Sequence, residues 1–201
     1  MGYGNMIDFT SAAISFKLIY PEIFLLMGAA IVLISGCFQK TMKFSSGIAF
    51  ITMIVSLIFA AGQWNDQQSG FFGMVSCDNF GVAFKVIFLG TSILTLFIAH
   101  RFLLAKGIDH PEFYALLLIS TLGMMVMVNT TDLVVMFLGL EIMSIPLYVM
   151  AALARRSLES NEAGIKYFIM GAFASAFLLM GIAFVFGASG TTDLRLSLIH
   201  I

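Results

Sequence analysis

The chain has 201 residues, a formal net charge of −1, 60% hydrophobic residues and 10% charged ones. A soluble domain carries about 25% charge, so with a mean hydropathy of +1.03 the composition excludes a soluble fold and defines a polytopic membrane protein. The near-neutral balance leaves no basic surface of the kind that binds nucleic acid.

A membrane span needs ~20 mainly apolar residues. Six stretches qualify: Leu18 to Phe38, Phe44 to Ala61, Phe80 to Ala99, Phe113 to Val128, Leu133 to Leu153 and Ala163 to Phe186. All are predicted to be helices, because lipid cannot satisfy an open strand edge. The fold class is therefore all-α, a polytopic membrane helix bundle. Ile34-Ser35-Gly36-Cys37 in the first span has the look of a lipoprotein cleavage box. That reading needs a basic region ahead of the apolar run. Only Lys17 stands there, accompanied by Asp8 and Glu22, so the segment is read as a retained helix.

The connections set the orientation. Lys40 and Lys43 follow the first span, Arg101 and Lys106 the third, and Arg155 and Arg156 the fifth. The alternate connections hold Asp66, Asp78 and Asp132 and no Lys or Arg. By the positive-inside rule the basic loops face the cytoplasm and both chain ends lie outside. Cys37 and Cys77 then fall on opposite sides, and no bond between them is expected. Neither cysteine belongs to a metal-type cluster, and no phosphate-binding or dinucleotide motif occurs.

Lys85 lies near the outer end of the third span and reads first as a lysine snorkelling to the interface, towards Asp78; the alternative is a place in a hydrated path. His100, Arg101, Lys106, Asp109, His110 and Glu112 make an ordinary interfacial loop. Asn129-Thr130-Thr131-Asp132 is short enough for a tight antiparallel turn, with Asp132 capping the fifth helix.

The fifth span carries a carboxylate, Glu141, near its middle, and a proline, Pro146. An ionisable group there is costly, ~2.5–3.5 kcal/mol on insertion scales, and marks a functional site by default. Glu141, Ser144 and Tyr148 share one helical stripe. Pro146 removes an amide donor and frees the carbonyl of Ile142, so the stripe could hold water. The bland alternative is a glutamate that only bonds a neighbouring helix.

Ser157 or Ser160 is placed to cap the sixth helix. Gly164, Gly171 and Ser175 lie on one side of it and permit close packing. Lys166 stands one to two turns inside. At 1.5 Å per residue, Glu141 and Lys166 differ in depth by roughly 4–9 Å, which fits a direct or a water-bridged pair. A desolvated glutamate beside a movable lysine is a proton site that the lysine tunes.

The runs LVVMFLGLEIMSIPLYVMAAL and SLESNEAGIKYFIMGAFASAFLLMGIAFVFGASGTTDL, with DNFGVAFKVIF and PEFYALLLISTLGMMVMVNTTDLV before them, resemble the subunit N family of bacterial NADH–quinone oxidoreductase, respiratory complex I. The resemblance implies a proton-translocating, antiporter-like membrane subunit that couples NADH-to-quinone electron transfer to proton pumping. Such a subunit is a translocase component with no redox centre of its own. It lies in the bacterial inner membrane among other membrane subunits of the complex, neighbouring antiporter-like ones above all. NADH, quinone, FMN and iron–sulfur clusters are expected elsewhere in the complex. The family's fifth-helix glutamate maps onto Glu141 and its sixth-helix lysine onto Lys166. Ser144, Tyr148, Pro146 and Lys85 are the supporting candidates, and no metal or cofactor ligand is assigned. Residues 1–194 are expected to be the N-terminal transmembrane part of a larger antiporter-like fold. Residues 195–201 do not look like the family's next helix and read as an atypical tail from a truncated reading frame. The rival readings are an Mrp-type cation/proton antiporter subunit and a non-conducting structural fragment.

Overall fold

The computed structural model describes residues 16–38, 42–107 and 110–196. Six helices run through them: α1 (Tyr20–Phe38), α2 (Met42–Gly62), α3 (Asn79–Lys106), α4 (Glu112–Val128), α5 (Leu133–Ala151) and α6 (Leu158–Ser189). Five are long and apolar enough to cross a membrane, and α4 is a shorter apolar helix of 17 residues. The six predicted spans are thus all helical, but α3 and α6 extend well beyond their apolar cores. Each overrun ends at a glycine in the left-handed conformation, Gly107 and Gly190, where a residue with a Cβ would be strained.

The shortest helix is the centre of the bundle. α4 packs against α1, α2, α3 and α5, while α6 leans on α5. Tyr114, Ala115, Leu118 and Met125 of α4 are fully buried against Leu25 and Val32 of α1, Met53 of α2 and Leu89 of α3. Lipid is as apolar as these side chains, so close backbone approach and internal hydrogen bonds hold membrane helices together. At the α4–α5 crossing, a Cβ on Gly123 would stand 2.4 Å from the Met143 amide nitrogen and 2.7 Å from the Gly139 carbonyl oxygen. Inside the bundle Ser92 and Thr121 share a hydrogen bond of 2.8 Å between α3 and α4.

The two ends differ. At one, Asp66, Asp78 and Asp132 lie in a hydrogen-bonded cap. A short antiparallel hairpin, β1 (Gln68–Gly70) and β2 (Val75–Cys77), joins α2 to α3. Sequence reading did not anticipate it, since no apolar alternation announces so short a ladder. The Ser76 amide donates to the Asn129 carbonyl at 2.7 Å and the Thr131 amide to that of Met74 at 3.1 Å, tying the hairpin to the α4–α5 turn. The end of α6 joins the same cap, with the Leu133 amide donating to the Thr192 carbonyl at 2.9 Å and that of Leu194 to Thr131 at 2.8 Å. At the other end lie Lys43, Lys106, Arg155 and Arg156. There Arg155 and Glu112 are 3.6 Å apart. Lys40 and Asp109 lie outside the described residues, as do Asp8, His200 and positions 197–201.

Caps explain where the helices start. Asp132 accepts from the amides of Val134 and Val135 and also from the Thr192 hydroxyl, 2.5 Å away. Asp78 caps α3 through the Gly81 amide at 2.7 Å. Of the two candidate serines, Ser157 caps α6, while the Ser160 hydroxyl donates back to the Ala151 carbonyl at 2.8 Å. Cys37 is exposed and Cys77 is buried in the hairpin; both are free thiols.

Candidate functional site

Glu141 stands in the middle of α5, and the helix continues through Pro146 to Ala151. Its partner comes from α6: the Ser175 hydroxyl donates to Glu141 Oε1. Ser144 is buried one turn along α5. A further turn on, Tyr148 lies against Gly171, where a Cβ would meet the phenol oxygen at 1.9 Å. Gly171 thus makes the space that lets Tyr148 lie between the two helices. The Tyr148 ring also meets Tyr167 and Phe168 edge-on, with centroids 4.8 and 6.0 Å away. The predicted small-residue stripe on α6 is the packing face: Gly164 lies against Ala152, Gly171 against Tyr148 and Ser175 against Glu141.

Lys166 does not meet Glu141. Its ammonium pairs with Glu162, one turn back on α6, and both side chains are largely exposed. Ser175, which marks the depth of Glu141, is nine residues further along α6, about 13 Å at helical rise. The predicted offset of roughly 4–9 Å was too small. The Gly164–Ala152 contact fixes the register: the first turns of α6, from Leu158 on, stand beyond the end of α5, so Lys166 lies only about one half-turn deeper than Ala152. Tyr148 stands at an intermediate depth.

The structure also corrects Lys85. It does not snorkel towards Asp78, which is occupied as a helix cap. Lys85 has no exposed surface, and its Nζ lies 2.8 Å from Glu22 Oε1 of α1 and 3.1 Å from Gln63 Oε1 of α2. Asn129 Nδ2 donates to the same Glu22 oxygen at 3.3 Å. Gln63 Nε2 in turn donates to the carbonyls of Lys17 and Leu18, each at 3.1 Å. Among the described residues Glu22 Oε2 and Asn129 Oδ1 are buried without a hydrogen-bond partner. Sequence reasoning missed Glu22 as a member of this group. The available signal was its depth: an acid three residues into α1 and a base seven residues into α3, entering from the same end.

Nearer the basic end, His100 Nδ1 and the Tyr114 hydroxyl are 2.6 Å apart. His110 lies 3.8 Å from Glu112. Among the described residues no group of three or more His, Cys, Asp or Glu could hold a metal ion.

A bundle of membrane helices with a carboxylate held at mid-helix between two glycine-packed helices defines a class: multi-pass membrane bundles that keep a carboxylate inside their helix packing. The family described as NADH:quinone oxidoreductase/Mrp antiporter, TM, matches residues 130–200. That match contains Glu141, Lys166 and Ser175 and runs past Leu194. The segment from 130 to 200 belongs to this family. The chain is 39% identical over 181 residues to NADH-quinone oxidoreductase subunit N of Trichlorobacter lovleyi, covering 89% of this chain and 37% of that one. To subunit N 1 of Herpetosiphon aurantiacus it is 36% identical, covering 94% and 39%. The fold is similar to a chain in respiratory complex I from Thermus thermophilus with bound aureothin, with a TM-score of 0.72, 26% identity and coverage of 87% and 38%. A chain of the archaeal membrane-bound sulfane sulfur reductase shares the fold at a TM-score of 0.73 and 22% identity, covering 88% and 38%. The chain spans well under half the length of the curated relatives it matches.

Proposed function

We propose that this chain is part of a proton-translocating membrane subunit of an NADH-quinone oxidoreductase, with Glu141 as the exchangeable proton site. The observation that carries the reading is the Glu141–Ser175 contact at mid-helix, inside the residues that match the family. A carboxylate in that setting is costly unless partnered or protonated, and one hydroxyl leaves it able to do either. Lys166 is proposed as the relaying charge. Its pairing with Glu162 and its separation from Glu141 mean that it acts through water beside Tyr148 and Ser144, or through a shift of α6. Pro146 adds the freed carbonyl of Ile142 to the same stretch. The chain contributes no redox group. Electrons pass from NADH through FMN and iron–sulfur clusters to quinone in other subunits, and this subunit sits beside further antiporter-like subunits in the inner membrane. Its basic loops are cytoplasmic and its N-terminus outside, by the charge bias of the connections.

The test is Glu141→Gln in the full-length subunit within its assembled complex. The substitution keeps the hydrogen bond to Ser175 and removes the exchangeable proton. Coupled turnover should fall sharply, towards the ~10²–10⁴-fold that loss of a positioned proton-transfer group costs in rate, and protons moved per NADH oxidised should fall by this subunit's share. Normal pumping with normal assembly would leave Glu141 as a structural hydrogen-bond acceptor. The family description also covers Mrp antiporters, so the companion reading is a cation/proton antiporter. Sodium-dependent transport without co-purifying NADH-oxidising subunits would establish it.

A further inference from the structure

We infer that the basic end of this bundle carries a binding site for one anionic phospholipid, between α3 and the α5–α6 connection. Two clefts meet there. The first, about 910 Å³, is lined by Lys106, His110, Arg155 and Arg156 together with Ser157. The second, about 350 Å³, is walled by Phe102, Leu103, Phe113, Met150 and Leu153. Lys106 and Ala154 line both, so the polar cleft adjoins the apolar one.

Among the described residues only part of the charge of the first cleft is paired internally. Arg155 is 3.6 Å from Glu112, a carboxylate that also faces His110 at 3.8 Å. Among the described residues neither Lys106 nor Arg156 has an ion-pair partner, and both are exposed. Among the described residues Glu159 is a further acid in the first turn of α6, and it does not line the cleft. The depth also fits a headgroup. α3 has 28 residues, about 42 Å of helix, which exceeds a hydrocarbon core of ~30 Å. With its other end in the hydrogen-bonded cap, its last turns stand in the headgroup layer with Lys106 at the tip.

The pair of clefts selects the ligand. Inorganic phosphate would use the basic cleft alone. A zwitterionic lipid would fill the apolar cleft but bring its own cation to Lys106 and Arg156. An anionic phospholipid uses both, its phosphate on Lys106 and Arg156 and an acyl chain along Phe102, Phe113 and Met150. Basic pockets between membrane helices at such an end take lipids of this charge.

The experiment uses the full-length protein in its assembled complex, delipidated in mild detergent and placed in nanodiscs of phosphatidylcholine with or without phosphatidylglycerol. Lipid retained on re-extraction is counted by native mass spectrometry. One phosphatidylglycerol should be held in preference to phosphatidylcholine. Lys106→Gln with Arg156→Gln should weaken that retention about 30-fold, at the strength of two surface basic residues. Both side chains are exposed, so the fold should survive, and unchanged helicity by circular dichroism checks it. Phe102→Ser should weaken retention without removing the preference for the anionic headgroup. Inorganic phosphate at millimolar concentration should not displace the lipid. Equal retention of both lipids, no retained lipid because further protein covers the cleft, or displacement by phosphate would each overturn the proposal.

Discussion

Lys85 shows how much a single side chain depends on its surroundings. A lysine near a helix end in a membrane protein ordinarily reaches for the interface. Here Lys85 is buried inside the bundle, and Glu22 and Gln63 supply the contacts that water would. Removing one member of a buried ion pair costs ~3–5 kcal/mol, because the remaining charge is left uncompensated, while replacing both by apolar groups is often neutral. Lys85→Met should therefore lower the thermal stability of the detergent-solubilised full-length protein sharply. Glu22→Leu combined with Lys85→Met should restore most of it. Equal losses in the single and double variants would show that the two side chains do not act as a pair.

Among the elements, the α4–α5 crossing controls where Glu141 stands. Gly123 brings α4 onto the backbone of α5 at Gly139 and Met143, two residues to either side of Glu141 in sequence. A side chain at Gly123 must push the helices apart. Gly123→Val should cost at least the ~1–3 kcal/mol of an overpacked core, read as a lower melting temperature. Gly90→Ala on α3 is the control: a Cβ there meets nothing within 4 Å, and alanine is the better helix former by about 0.8–1.0 kcal/mol. It should be neutral or stabilising. The same logic separates α6 from the apolar run that announced it. Hydropathy marks the lipid-facing part of a helix, but the Ser157 cap and the Gly164–Ala152 contact decide where the helix begins. Because Gly164 lies level with Ala152, the first turns of α6 stand beyond the end of α5, and Lys166 stays near that end, away from the level of Glu141.

For the whole molecule, the two cysteines give an orientation test without engineering. Cys37 is exposed at the basic end of α1, and Cys77 is buried at the other end of the bundle. Burial pushes the Cys77 thiol above its ordinary pKa of 9.0, outweighing the nearby Lys85 charge. A membrane-impermeant maleimide should label Cys37 in inside-out vesicles and not in right-side-out ones. Cys77 should react in neither until the protein is unfolded. Labelling of Cys37 from the outer face would reverse the topology. Cys77 also predicts a stability change with pH. Below 9.0 both folded and unfolded thiols keep their proton. As pH rises past that value the unfolded thiol ionises first, so the folded state loses stability.

The amino-acid order by itself determined the class of the molecule, its helices, its charge bias and the carboxylate at the centre of α5. Hydropathy and loop charge are local properties that add along the chain, so no tertiary information is needed to read them. The cap at Asp132 was legible for the same reason, and that of α6 was narrowed to Ser157 or Ser160. Only the tertiary structure decided which charges meet: Glu22 with Lys85, Ser175 with Glu141, and Lys166 with Glu162. Each choice depends on the rotation and depth of one helix against another. Those are set by glycine contacts and by backbone hydrogen bonds between loops far apart in the chain, where a shift of one turn, about 5.4 Å, exchanges one partner for the next.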